Sequence, residues 1–304
     1  MFFLFSTKIK FLLRSIGYFL PSCSNISDYA LKHYLKFEFS MLFLNRDYFI
    51  YSLNKNRKIK LYKNSFLTKL LLNDFEYEEL AFIKQLLKED DIVIDIGANI
   101  GLYSLLCSDY IGNNGVVYAF EAMDSTCQQL QENIVINDIN NIVINNVAVS
   151  NWSNEKLTMY KHPNGYDAFD SLVAPLMETA AKITVSTISL DDFIAQDNVD
   201  ESIIKLVKID VEGWEFNVLQ GAKKLIEKQL PIAFLVEFSK SDNAENISKN
   251  ELVYNLLKSY DYDWFAYHVP RRKLLAFDFN AITKSCNLIA VNENFKQINS
   301  YFFQ

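Results

Sequence analysis

The stretch that most constrains this chain covers residues 91–101 and reads D-I-V-I-D-I-G-A-N-I-G. Its apolar run, Ile92–Ile96, predicts a buried strand in which Asp95 is the one charged residue. Two glycines, Gly97 and Gly101, follow where the chain is expected to turn into a helix. A buried strand that ends in glycines and leads into a helix brings bare backbone against a ligand.

The kind of ligand is indicated by the residues around these glycines. A second predicted strand, Val116–Phe120, ends in Glu121, whose carboxylate can accept hydrogen bonds from both hydroxyls of a ribose. Asn99 and Leu102 stand where a dinucleotide site of the G-x-G-x-x-G kind has glycines, and the sequence has no phosphate-binding G-x-x-x-x-G-K-[ST] loop. A ribose acceptor without a phosphate grip favours S-adenosylmethionine (SAM) over NAD. A tight strand-to-helix turn in any α/β protein is the alternative.

A second motif, L-V-K-I-D-V-E-G-W-E at residues 206–215, predicts another buried strand that ends in Asp210 and Glu212. Glu237 lies at the end of the next predicted strand, Ile232–Phe238. Open α/β sheets bind ligands at the carboxyl ends of their strands, so Asp210 is expected beside the cofactor cleft. These acids could instead complement the dipole of the following helix.

The same acids suit the chemistry of methyl transfer, because an acceptor hydroxyl must lose its proton as it attacks the methyl group. Asp210 is the first choice of base, Glu212 the second and Glu237 the third. Three acids at neighbouring strand ends could also bind a divalent cation. The sequence holds no independent metal motif, and we predict no metal.

Five motifs occur in order along the chain: D-I-G-A-N-I-G at 95–101, F-E at 120–121, N-V-A-V-S at 146–150, L-D-D-F at 190–193 and K-I-D-V-E-G at 208–213. With them the chain resembles the FkbM-type SAM-dependent methyltransferases. The resemblance implies a Rossmann-like α/β fold, a seven-stranded sheet with helices on both faces and one antiparallel strand near the edge. It also implies methylation of a hydroxyl group, often on a sugar or a glycosylated natural product.

The resemblance also assigns residues to parts of the site. Glu121 matches the ribose acceptor, and Asp210 and Glu212 match the acidic strand end that faces the methyl acceptor. Val147 and Ala148 lie where the third strand is expected to end, near the adenine. The full set of implied cofactor residues is Asp95, Gly97, Asn99, Gly101, Glu121, Ala122, Val147 and Ala148.

Composition and charge limit the partners. The 304 residues carry a formal net charge of −7, which argues against a nucleic acid substrate, because phosphate backbones require a basic face. Four cysteines without a C-x-x-C pair indicate reduced thiols in a cytoplasmic protein. Two classes stay open: an O-methyltransferase acting on a glycan or small hydroxylated molecule, and a non-catalytic SAM-fold binding protein. The missing third glycine disfavours a nicotinamide oxidoreductase.

Residues 1–60 are predicted to form an N-terminal helical cap, and residues 61–304 the methyltransferase domain. Within residues 1–20, apolar side chains recur at helical spacing. Lys8, Lys10 and Arg14 interrupt any membrane-spanning segment. A signal peptide has its positive charges before its apolar run, whereas here the charges follow the apolar start. The pattern predicts an amphipathic helix that either packs on the domain or lies on a membrane surface.

Overall fold

The computed structural model describes residues 47–62, 76–161, 181–239 and 244–303. The chain divides into two compact units, residues 1–49 with 61–75 and residues 50–60 with 76–304. The second unit carries the motifs described above. Of the expected N-terminal cap, residues 1–46 with the amphipathic helix lie outside the described residues, and residues 47–60 contain the strand Tyr48–Ser52 and the start of the strand Lys58–Tyr62. Within the described segments, no helix combines the length and apolar character needed to cross a membrane.

The secondary structure alternates as the motifs predict. The described strands are β1 (Tyr48–Ser52), β2 (Lys58–Tyr62), β3 (Ile92–Ile96), β4 (Val116–Phe120), β5 (Ile142–Asn145), β6 (Ala148–Val149), β7 (Lys156–Lys161), β8 (Ala181–Ile188), β9 (Ile204–Ile209), β10 (Ala233–Phe238), β11 (Asp263–His268), β12 (Lys273–Ala276) and β13 (Cys286–Val291). The described helices are α1 (Tyr77–Leu86), α2 (Leu102–Tyr110), α3 (Asp124–Val135), α4 (Leu190–Gln196), α5 (Glu215–Gln220), α6 (Lys223–Glu227), α7 (Ala244–Lys258) and α8 (Glu293–Ile298).

The main sheet has the order β12-β11-β13-β10-β9-β3-β4-β5. Strands β5, β4, β3, β9 and β10 run parallel, and β13 is antiparallel to both β10 and β11. The α/β methyltransferase fold expected from the sequence is therefore confirmed. Among the described residues this sheet has eight strands, because β12 pairs antiparallel with β11 and adds one strand at the edge of the expected seven.

The third strand ends earlier than expected. Strand β5 stops at Asn145, and a turn in which the Val147 N–H donates to the Asn145 carbonyl redirects the chain. The next residues form β6, which pairs with β8 in a separate three-stranded sheet of order β6-β8-β7. Ala148 therefore belongs to this small sheet, whereas Val147 packs against the core of the main sheet.

The two faces of the central strands bury different kinds of side chain, apolar on one face and charged on the other. Alternate side chains of β3 and β9, such as Ile94 and Val207, pack into the main hydrophobic core. Burying one such side chain contributes roughly 1.5–3 kcal/mol to stability. Asp95 and Lys208, which are register partners across β3 and β9, point to the opposite face, where α2 covers them and Ser104 of that helix reaches Asp95.

Candidate active site

The loop between β3 and α2 packs tightly against its neighbours. The N–H groups of Gly97 and Ala98 both donate to the carbonyl of Phe120, at 3.0 and 2.9 Å. Gly97 has a φ of 77°, and a Cβ atom on it would lie 1.8 Å from the backbone oxygen of Asp210. Gly101 has a φ of 98°. Both glycines thus adopt a backbone conformation that side chains disfavour, and Gly97 also brings the two sequence motifs into backbone contact.

Glu121 lies directly beside this loop. Its Oε2 accepts the N–H of Asn99 at 2.9 Å, and its Oε1 accepts the N–H of Met123 at 2.9 Å. The side chain of Asn146 donates to the backbone carbonyl of Glu121 at 3.0 Å. These bonds fix the carboxylate against the glycine loop, where the sequence places the ribose acceptor. A carboxylate offers about four lone-pair sites, so both bonds are compatible with ribose hydroxyls.

Of the apolar residues expected near the adenine, Ala122 follows β4, Val147 follows β5 and Ala148 begins β6. Ala122 is half-buried and packs on a small cluster that contains Met123 and Ala148. Val147 packs on the larger core. Ala122 and Val147 are partly exposed, whereas Ala148 is only 4% exposed.

Lys208 lies at the junction of the two motifs. Its Nζ lies 3.0 Å from Oδ2 of Asp210 and 3.7 Å from Oδ1 of Asp95, and it donates to the carbonyl of Gly97 at 3.1 Å. Asp95 is fully buried, and its Oδ2 accepts the hydroxyl of Ser104 at 2.6 Å. Sequence reasoning gave Lys208 no role. The feature of the sequence that could have identified Lys208 is a charged residue inside an apolar strand, two residues before Asp210.

The electrostatics of this group follow from burial and proximity. Burial alone would lower the pKa of Lys208, but Asp210 and Asp95 outweigh that effect and the pKa is raised. The side chain is therefore an ammonium ion at neutral pH. Burial raises the pKa of Asp95, against the opposing effects of Lys208 and the Ser104 hydroxyl. The fully buried Asp95 carboxyl thus faces Ser104 of α2 and Lys208 of β9.

The three acids proposed for chemistry lie together. One carboxylate oxygen from each of Asp210, Glu212 and Glu237 lies within 4.8 Å of the others. Burial, and then the charge of Asp210, raises the pKa values of Glu212 and Glu237 well above the usual range. The cluster therefore combines two acids whose protonated forms are favoured by burial with a carboxylate paired to an ammonium ion. Such a cluster could also share a divalent cation, but acids alone do not define a metal site and no metal is assigned.

Glu215 has a supporting role. Its Oε1 accepts the N–H groups of Val211 at 3.1 Å and Gly213 at 3.0 Å, and the residue is only 6% exposed. These bonds close the turn in which Glu212 has a φ of 51°. Glu215 therefore holds the acidic strand end in shape.

Glu76 is a further acid near the cluster of Asp210, Glu212 and Glu237, and the sequence analysis missed it. It precedes α1 in a left-handed conformation, with φ 57° and ψ 35°, and its Oε1 accepts the side-chain N–H of Asn287 at 3.0 Å. Asn287 is the register partner of Glu237. Burial, and next Asp210, raises the pKa of Glu76 to about 8. No motif marks this residue, because its partner Asn287 lies 211 positions away.

The strand order, the glycine loop and the acidic strand ends together define an α/β protein of the methyltransferase class. A model of the methyltransferase FkbM domain matches residues 95–264, which is more than half of the chain. The chain belongs to this family. The family resemblance of the sequence motifs is thereby confirmed.

Two curated relatives fall within the same class. The chain is 31% identical over 164 residues to the 31-O-demethyl-FK506 methyltransferase FkbM of Streptomyces tacrolimicus, covering 45% of this chain and 61% of the relative. It is 26% identical over 152 residues to the hexuronic acid methyltransferase AglP of Haloferax volcanii, covering 50% of this chain and 58% of the relative. The matches span about three fifths of the relatives' lengths.

A weaker similarity links the chain to a solved structure, a SAM-dependent O-methyltransferase of Thermotoga maritima. The TM-score is 0.42 at 14% sequence identity, over 80% of this chain and 77% of that one. The fold assignment rests on the strand order and the family match.

Proposed function

We propose that this protein is a SAM-dependent O-methyltransferase that acts on a hydroxyl group of a sugar, a glycan or a glycosylated small molecule, with residues 61–304 as its catalytic domain. The observation that carries the proposal is the backbone contact between Gly97 and Asp210. It brings the glycine loop, to which Glu121 is bonded, against the strand end that carries Asp210, so a nucleoside site and groups that can accept a proton would lie next to each other.

The residues for the cofactor fit the chemistry of SAM. Glu121 is fixed by backbone N–H groups and would accept the ribose hydroxyls. Gly97, Asn99 and Gly101 would face the methionine half, with Asp95 supporting the loop from inside. The apolar surface of Ala122, Val147 and Ala148 would take the adenine. Bound SAM supplies a methyl group on a positively charged sulfur.

The acids divide the remaining work. Asp210 would accept the proton of the attacking hydroxyl while the new oxygen–carbon bond forms and the sulfur–carbon bond breaks, with its electron pair left on sulfur. Glu212 and Glu237, whose protonated forms are favoured by burial, would donate hydrogen bonds to neighbouring hydroxyls of the acceptor and orient it. Holding the acceptor in line supplies roughly 7–11 kcal/mol of barrier reduction, and a placed base roughly 10²–10⁴-fold in rate. Because the acceptor is bound by acids and the chain is acidic, nucleic acid is disfavoured as a substrate.

Calorimetric titration of the full chain with SAM, S-adenosylhomocysteine and NADH tests the cofactor. A turnover assay then measures S-adenosylhomocysteine release with a panel of methyl glycosides of neutral hexoses and hexuronic acids, and with pooled cellular glycans. We expect SAM binding and acceptor-dependent release. Binding of NADH without SAM would overturn the cofactor, and SAM binding without release from any acceptor would indicate the non-catalytic binding protein.

A further inference from the structure

Lys208 connects the two halves of the candidate site through four contacts. It is 3% exposed. Its ammonium group donates to the Gly97 carbonyl, pairs with Asp210 and lies near Asp95, at the distances given above. It also lies 4.9 Å from the centre of the Tyr103 ring on α2, a distance suited to a cation–π interaction. An ammonium ion so fully enclosed is held in one position.

We propose that Lys208 is a positioning residue for methyl transfer, which ties the cofactor loop to Asp210 and holds the Asp210 carboxylate in place as the base. The inference rests on the proposed function, in which Asp210 is the base. It goes further, because one buried ammonium group, that of Lys208, would hold both the cofactor loop and the base Asp210 in place.

The surroundings of Asp210 explain why such a cation is needed. Among the described residues, Lys208 is the one cation that forms an ion pair with Asp210. The described groups whose own pKa values Asp210 raises are acids or a phenol: Asp95 on β3, Glu76 before α1, Tyr103 on α2, Glu212 and Glu215 after β9, and Glu237 on β10. Without the ammonium, these neighbours and the partial burial of the site would favour a proton on Asp210, and a protonated carboxyl cannot act as a base.

The loop contact gives Lys208 its second task. Its bond to the Gly97 carbonyl joins residues 111 positions apart and holds this carbonyl of the cofactor loop against β9. Removing this donor would leave the Gly97 carbonyl without its bond to Lys208, and orphaning such a group costs on the scale of a lost buried hydrogen bond. A variant without the ammonium group should therefore lose SAM affinity as well as the function of Asp210 as a base.

The test compares Lys208→Met, which removes the charge, with Lys208→Arg, which keeps it. In the full chain, calorimetry measures SAM affinity, and the pH profile of kcat/KM is recorded with SAM and the methyl glycoside that gives S-adenosylhomocysteine release. We expect the acidic limb of the profile to move to higher pH by about one to three units in Lys208→Met and by much less in Lys208→Arg. SAM affinity should fall about five-fold or more in Lys208→Met.

Two further variants keep the outcome decisive. If Lys208→Met does not fold, Lys208→Met/Asp95→Asn removes the buried Asp95 charge that it would leave unpaired, and the same shift is expected. An unmoved acidic limb in a folded variant, an equal shift in Lys208→Arg, or failure of both Met variants to fold overturns the inference. Asp210→Asn is measured in parallel. Wild-type turnover in that variant removes the proposed base itself, whereas impaired Asp210→Asn with an unmoved limb in Lys208→Met removes only the role of Lys208.

Discussion

Gly97 packs directly on the backbone carbonyl group of Asp210, with no room for a side chain between them. The first residue after β3 thus contacts the first residue after β9, and the N–H of Asp210 donates to the carbonyl of Ile96 at 3.1 Å. The cofactor loop and the acidic strand end are therefore one structural unit. A change at Gly97 should reach both.

Gly97→Ala tests this unity, with Gly112→Ala as its matched control. Both glycines have positive φ, 77° and 69°, but a Cβ on Gly112 would meet only the Glu89 side chain, at 3.4 Å. The control should cost roughly 1–2 kcal/mol for the left-handed conformation alone. Gly97→Ala should cost more, because the Asp210 backbone must also move, and it should weaken SAM binding. Urea unfolding and calorimetry measure both effects, and equal costs for the two variants would count against the contact.

Glu121→Ala tests the ribose assignment. The variant should weaken SAM binding by roughly 1–3 kcal/mol, the scale for orphaning buried hydrogen-bonding groups. It also frees the N–H groups of Asn99 and Met123, so some loss of stability is expected in urea unfolding. Glu155→Ala, an exposed position, is the control and should leave both quantities unchanged. Wild-type SAM affinity in a folded Glu121→Ala protein would remove the assignment.

Glu76 should make stability depend on pH. Its pKa is about 8 in the folded protein against an ordinary 4.5, so between these values the folded state binds more protons than the unfolded state. Stability therefore falls as pH rises through this window. Glu76→Gln keeps an acceptor for Asn287 and removes the titration, so it should match the wild type near pH 4.5 and exceed its stability by a few kcal/mol above pH 8.

Urea unfolding at both ends of that pH range measures this difference. Glu78→Gln changes an exposed glutamate on the same helix and should follow the wild type throughout. A Glu76→Gln protein whose stability changes with pH as the wild type's does would show that the Glu76 proton is not held by the fold.

The sequence predicts the main sheet well, because its strands are short apolar runs that end in glycines or acids. Strands β3, β4 and β9 and the placement of Asp210, Glu212 and Glu237 at neighbouring strand ends follow from that pattern alone. The turn after Asn145 did not follow, because Val147 and Ala148 continue the apolar run although the backbone leaves the sheet. An apolar run of residues does not show where the backbone passes from one sheet to another.

The contacts that organise the site are beyond the reach of local patterns. The short approach of Gly97 to Asp210 and the bonds of Lys208 and Glu76 join residues more than a hundred positions apart. A glycine motif predicts close approach of some backbone or ligand, but the partner is set by which strands become neighbours. From sequence patterns, Gly97 is assigned to the cofactor site, and Lys208 and Glu76 are assigned no role.

Asp210→Asn provides the most direct measurement of the central claim, that this strand end supplies the base beside a SAM site. The substitution keeps the shape of the side chain and removes its ability to accept the proton. In the full chain we predict a fall in kcat of roughly 10²–10⁴-fold with SAM affinity nearly unchanged by calorimetry. Wild-type turnover in the folded variant, or complete loss of SAM binding with an intact fold, would contradict the account.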